Sequence, residues 1–139
     1  MGRRRKSREL AIQILYQIEM SGTDAEHGLQ IFWENNPHSD TITQFTSHVV
    51  QGTLKHRKKI DKAIRETATN WAFTRITHVD RAILREAVFE IFYCPDIPYK
   101  VTLNEAIELG KKFGSEKSGA CLNGVLDNLR TRHADKINN

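Results

Sequence analysis

Residues 98–127 read PYKVTLNEAIELGKKFGSEKSGACLNGVLD, and the spacing within them decides the fold class. Ala106, Leu109, Gly110 and Phe113 recur at i, i+3, i+4 and i+7, which is one face of an α-helix. Thr102 and Glu105 stand ahead of that face with the separation of a capping box. Gly114 and Gly119 bracket a turn, and Leu122, Val125, Leu126 and Leu129 repeat the helical spacing beyond it. Two amphipathic helices in succession cannot bury their apolar faces alone, so the pattern calls for further helices to pack against.

The rest of the chain supplies them. Thr77 opens a helix with Leu84, Ala87, Val88 and Ile91 on its core face, stopped before Pro95 and Pro98. Ile60, Ala63, Ile64 and Ala68 mark another that leads to Trp71, and Asp40 opens one with Ile42, Phe45, Val49 and His56 on a stripe. A short helix spans residues 25–35 and ends before Pro37, while the first runs from Ser7 through Leu10, Ala11, Ile14, Leu15 and Ile18 to Gly22. No stretch alternates with period two over strand length. The expectation is an all-α protein of about seven helices in two small antiparallel bundles sharing the first helix, with residues 1–139 forming one domain.

The charge is placed unevenly. Arg3, Arg4, Arg5, Lys6 and Arg8 against Glu9 account for the whole net charge of +4, which leaves sixteen basic and sixteen acidic residues elsewhere. A cationic leader on a neutral body suits a polyanion held by one arm, because each cation near a phosphate releases condensed counterions. A solvated basic terminus is the plain alternative. Like-charge repulsion and the lack of an apolar anchor predict that residues 1–8 form a flexible arm, disordered up to about Ser7.

Other classes find little support. The apolar stretches are interrupted by charge too often for a membrane span, and no apolar region follows the basic start as in a secretory signal. Cys94 and Cys121 have neither CxxC spacing nor a histidine cluster beside them, and read as small buried residues in a reducing cytoplasm. The six histidines, His56 among them on an apolar stripe, form no ligand set. No phosphate loop, HExxH or GxSxG is present, so no catalytic residue, metal or cofactor is expected.

Two helices carry residues that their own pattern does not explain. Ile12 and Tyr16 project off the main stripe of the first helix, giving it a second apolar face for another bundle or a partner to cover. On the fifth, Arg81 and Arg85 are spaced i, i+4, as are Glu86 and Glu90, with no oppositely charged partner on the same face. Their answers lie on another helix of the fold or on a second molecule. Lys111 and Lys112 are partly explained by Glu108, three and four residues before them.

The segment from Pro98 to Asp127 resembles the C-terminal signature of the NusB family of bacterial transcription antitermination factors, most specifically in Asn104-Glu105-Ala106 and Asn123-Gly124-Val125-Leu126. RRRKSRELAIQILYQ, with Ala11, Leu15 and Tyr16, resembles the family's opening, and HVDRAILREAVFE its central helix, so the similarity runs the length of the chain. Cys121 stands where the family usually has an aromatic residue and Gly110 where alanine is common; both read as adjustments that loosen the core. The resemblance implies a non-enzymatic, cytoplasmic protein that binds the boxA element of ribosomal RNA leader transcripts with the ribosomal protein NusE, and so joins the other Nus factors on RNA polymerase. It implies RNA contacts at Arg3, Arg4, Arg5, Lys6 and Arg8; Arg81, Arg85, Lys111, Lys112 and Lys117 are weaker candidates. It implies partner contacts at Tyr16 and Asp80, to which Arg81 and Glu86 are added. Asp80 lies three residues after Thr77, so completing a helix cap is an equal and compatible role.

Two rival expectations come from other classes. NusB-like domains also precede the catalytic domain of some ribosomal RNA cytosine methyltransferases, but no Gly-rich cofactor region follows here. A structural oligomer joined through the unexplained stripes is the third.

Overall fold

The computed structural model describes residues 2–68 and 73–137; the expected approach to Trp71 lies outside them. Among the described residues, seven α-helices and two short 3-10 turns make up the secondary structure, and no strand occurs. The chain divides into two compact units, Met1–Lys55 and His56–Asn139. The division groups the first three helices.

In the first unit, α1 (Gly2–Ser21), α2 (Ala25–Asn35) and α3 (Asp40–Lys55) pack together. Leu10, Ile14, Leu15 and Ile18 of α1 are buried, as are Leu29 and Phe32 of α2 and Val49 and Val50 of α3. Each such side chain contributes roughly 1.5–3 kcal/mol on leaving water. Gly22 closes α1 with a φ of 73°, its N–H donating to the Ile18 carbonyl at 2.9 Å, a left-handed conformation that suits glycine. Asp24 then caps α2 by accepting from the His27 N–H at 2.8 Å. That bond, ahead of other causes, lowers the Asp24 pKa.

In the second unit, α5 (His78–Tyr93) runs among α4 (Arg57–Thr67), α6 (Tyr99–Phe113) and α7 (Ser118–Arg132). Every residue from Ala82 to Ile91 is buried, charged ones included, so α5 is the core of its unit. Ile60, Ile64, Leu109, Leu122, Val125, Leu126 and Leu129 complete the apolar interior.

Three sequence expectations are corrected. α1 begins at Gly2 rather than Ser7, so the basic leader is helical. It is fastened to α3 by Thr46, whose hydroxyl donates to the Ser7 carbonyl at 3.3 Å, and by the Arg4 guanidinium, 3.7 Å from the centre of the Phe45 ring. The capping box at Thr102 is absent, because Pro98, with φ already near the helical value, occupies the cap and the helix starts at Tyr99. Thr102 instead donates to Glu90 Oε1 at 3.0 Å inside the core. Gly110 does not leave the core loose either: a Cβ there would lie 2.6 Å from Leu122 Cδ1, so the fully buried Leu122 already fills the space.

Candidate nucleic-acid and partner interfaces

The first two turns of α1 carry Arg3, Arg4, Arg5 and Lys6, all exposed, with no acidic residue in the first turn. Unsatisfied N–H groups make a helix N-terminus partially positive, so cations there oppose the helix dipole by a few tenths of a kcal/mol or more each. A nearby anion relieves both the dipole and the mutual repulsion. Arg8 differs from its neighbours: it is only 4 % exposed, and its guanidinium lies 5.9 Å from the Phe45 centroid. Burial sets it apart from the exposed cations of the arm. Its place is at the α1–α3 contact.

The weaker cationic candidates separate in the same way. Arg85 is 6 % exposed and makes a two-pronged ion pair with Asp61 of α4, Nε to Oδ1 at 2.8 Å and Nη2 to Oδ2 at 3.1 Å. A guanidinium held that way is committed to the fold, so the RNA role for Arg85 is corrected. Lys111, Lys112 and Lys117 are exposed near the α6–α7 turn. Lys111 pairs with Glu108 at 3.1 Å, and the Lys112 ammonium lies 5.6 Å from the Phe113 ring centre. An exposed pair of that kind adds little stability and leaves the lysine available.

The partner candidates diverge too. Tyr16 is exposed and lines a groove in the first unit together with Gln17, Met20 and Ile31. Tyr16, Met20 and Ile31 are three of the four large hydrophobic side chains that stand exposed among the described residues. Met20 and Ile31 were missed in the sequence. The signal available was the i, i+4 spacing of Tyr16 and Met20 on the side of α1 away from its main stripe.

Asp80 and Glu86 are 6 % and 1 % exposed, so neither is the surface carboxylate expected of a partner contact. Asp80 sits in the first turn of α5, where its N–H donates to Thr77 Oγ1 at 3.1 Å, and its Oδ1 is buried without a hydrogen-bond partner. The capping role fits that placement, and a carboxylate near the helix start also suits the dipole. Arg81 is half-buried, with Nη2 3.2 Å from His78 Nδ1 and the guanidinium over Phe73. His56 precedes α4 and lies flat on Tyr93 with ring centres 3.9 Å apart.

A second basic segment escaped the sequence reading. α4 carries Arg57, Lys58, Lys59, Lys62 and Arg65 against Asp61 and Glu66, again with no acid in the first turn. The overall balance of charge outside the leader concealed this local excess.

Among the described residues no group of three or more His, Cys, Asp or Glu is placed to hold a metal ion, and no helix is long and apolar enough to cross a membrane. Fold and surfaces define an all-α protein that offers exposed cations near helix ends and an apolar groove in its first unit. The NusB family model matches residues 5–131, and the chain belongs to that family. The transcription antitermination protein NusB of Syntrophus aciditrophicus is 44% identical over 129 residues, covering 93% of this chain and 80% of its own length. That of Myxococcus xanthus is 43% identical over 133 residues, covering 93% and 95%. The solved T. maritima NusB aligns with a TM-score of 0.83 at 32% identity over 94% of this chain and 92% of its own. A chain in the crystal structure of antitermination factors NusB and NusE in complex with dsRNA aligns with a TM-score of 0.84 over 96% and 99%, at 24% identity, a likeness of fold.

Proposed function

We propose that this chain is a non-enzymatic transcription antitermination factor that binds the boxA RNA of ribosomal RNA leader transcripts together with the ribosomal protein NusE. The observation that carries the RNA half is the row of exposed cations Arg3, Arg4, Arg5 and Lys6 at the positive end of α1. These side chains fix phosphates, while the bases are discriminated by stacking and hydrogen bonds on unpaired RNA. Lys111, Lys112 and Lys117 extend the cationic surface of the second unit. Tyr16, Met20 and Ile31 form the apolar anchor for the partner, in keeping with the enrichment of aromatic residues at binding hot spots. Arg81 is a secondary partner contact. The likeness to NusB and NusE bound to dsRNA supports both partners. The protein acts in the cytoplasm, and its complex with NusE reaches RNA polymerase through the other Nus factors.

The test is a pull-down with NusE, with and without boxA RNA, repeated over a salt series. Binding to RNA that weakens steeply with salt, and to NusE through the groove, is the expected result. RNA affinity insensitive to salt would remove the α1 cations from the interface.

A further inference from the structure

α4 repeats on a smaller scale the electrostatic misfit of α1. Arg57 is answered by Asp61 at 3.6 Å. Lys59 and Lys62, three residues apart and exposed, repel one another, and Lys62 precedes Glu66 by four, the less favourable order for such a pair. Beside these lysines opens a pocket of about 300 Å³, walled by α4, the end of α5 and the residue that follows α7. Its lining includes Lys59, Lys62, Glu66, Phe92, Tyr93 and His133.

The aromatic part is ordered by its own contacts. Phe92 meets His133 edge to face at 5.3 Å and Tyr93 at 6.3 Å, while Tyr93 is backed by the parallel ring of His56. The walls are tied together at the backbone. Arg132 Nη1 donates to the Glu66 carbonyl at 3.0 Å, and Asn128 Nδ2 to the Thr67 carbonyl at 3.1 Å.

Three chemistries therefore converge: ammonium groups for a phosphate, aromatic rings for a flat π-system, and a carboxylate that accepts from an amino group. A nucleotide uses all three, since bases stack on aromatic side chains and a carboxylate accepts from an exocyclic amine. An acidic peptide would use the lysines but set its carboxylates against Glu66. The volume lies at the low end of the roughly 300–1,000 Å³ typical of ligand pockets, a fit for one base with its phosphate rather than for a duplex.

We propose that the pocket between α4, the end of α5 and His133 binds a single nucleotide of unpaired RNA, with Lys59 and Lys62 on the phosphate, Phe92 and Tyr93 against the base, and Glu66 favouring bases that carry an amino group. This rests on the RNA-binding reading above and adds a base-reading subsite to it.

The test titrates the full chain with AMP, GMP, CMP and UMP, and separately with a short polyglutamate peptide, following the side-chain NMR signals of Phe92, Tyr93 and His133. Nucleotides should move these signals, with UMP the weakest. Lys59→Glu with Lys62→Glu, both at exposed positions that spare the fold, should weaken binding by about tenfold or more, in line with the strength of charge-assisted contacts. Arg3→Ala with Arg5→Ala should leave nucleotide binding here unchanged while weakening RNA binding. Silent pocket signals alongside arm-dependent RNA binding overturn the inference and leave the proposed function standing; pocket binding without arm-dependent RNA binding does the reverse. Peptide shifts as large as those from nucleotides overturn it in favour of a carboxylate site, and a UMP affinity equal to the others overturns the role of Glu66.

Discussion

The cations at the start of α1 and the charges along α5 look alike in the sequence: in both, like charges crowd neighbouring positions, with Glu9 the one acid spaced to answer the α1 row. Their structural fates are opposite. On α1, Arg3, Arg4, Arg5 and Lys6 stay in water, where holding a charge costs little and a ligand can reach it. On α5, Arg85, Glu86 and Glu90 are withdrawn from water, which only close partners can offset. Arg85 finds Asp61, twenty-four positions away in sequence, and Glu90 finds Thr102, twelve positions away. Crowding of like charge along one helix thus carries no information about the fold around it. Burial separates a charge kept for a ligand from one kept for the core.

The buried side of the comparison gives the largest expected effect. Asp61→Ala leaves the Arg85 guanidinium buried without its carboxylate, and should destabilise the protein by about 3–5 kcal/mol. Urea unfolding measures this directly. Replacing Asp61 and Arg85 together by apolar residues of similar size should recover most of the loss. A loss below about 1 kcal/mol for the single variant, the scale of an exposed pair, would erase the distinction between the two helices.

The groove comes next. Tyr16→Ala should weaken NusE binding by about 2 kcal/mol, close to thirtyfold, as expected of an aromatic anchor. Stability should change by no more than about 0.5 kcal/mol, because the side chain is already exposed. Calorimetric titration against the partner, paired with a melting curve, separates the two. Unaltered affinity would place the contact elsewhere. Asp80→Lys is no clean test of the interface, since it drives an ammonium into a buried helix start.

On the exposed side of the comparison, Arg3→Ala with Arg5→Ala should flatten the logarithmic salt dependence of single-stranded RNA binding by about 0.7 for each phosphate no longer neutralised. Arg3→Ala alone should stabilise the free protein by a few tenths of a kcal/mol, because it removes a cation from the positive end of a helix. Arg4 is the exception. Its contact with Phe45 contributes about 0.5–1 kcal/mol at an exposed site, so its removal should offset that gain.

How far these features were legible follows from the same physics. Helical periodicity carried the fold class and most boundaries, including both ends of α2 and the Thr77 cap of α5, because backbone hydrogen bonding and capping are local. The start of α1 was misplaced because charge repulsion outweighs local propensity in a sequence reading, whereas Ser7 and Arg4 meet Thr46 and Phe45 of α3, contacts that only the folded unit provides. The burial of Asp80 was half legible: it stands on the arc of Leu84 and Ile91. Arg85 and Glu90 were not, for their partners come from helices whose facing sides no spacing specifies. The Lys59 and Tyr93 pocket was the least legible feature, since it is made by α4, α5 and a residue beyond α7 coming together.

At neutral pH the smallest expected effect concerns Cys121, a buried group whose state depends on the same charge accounting. Burial, first, and the Asp80 carboxylate, second, push its thiol from the ordinary 9.0 up to about 11. Between these values the folded chain keeps a proton that the unfolded chain has released. The neutral thiol's contribution to stability is therefore full below pH 9 and declines as pH rises toward 11. Tyr99, also raised mainly by burial from the ordinary 10.0, acts in the same direction from pH 10 upward, inside the same window, so the total slope does not isolate the cysteine. Cys121→Val does, because it removes one titrating group while keeping a small apolar side chain in place; the variant should lose less stability over this window than the parent. At pH 8 only about one folded thiol in a thousand is ionised, so a thiol reagent should label Cys121 slowly until the protein unfolds. Rapid labelling at pH 8, or identical pH profiles for parent and variant, would mean that the thiol is not buried as the structure places it.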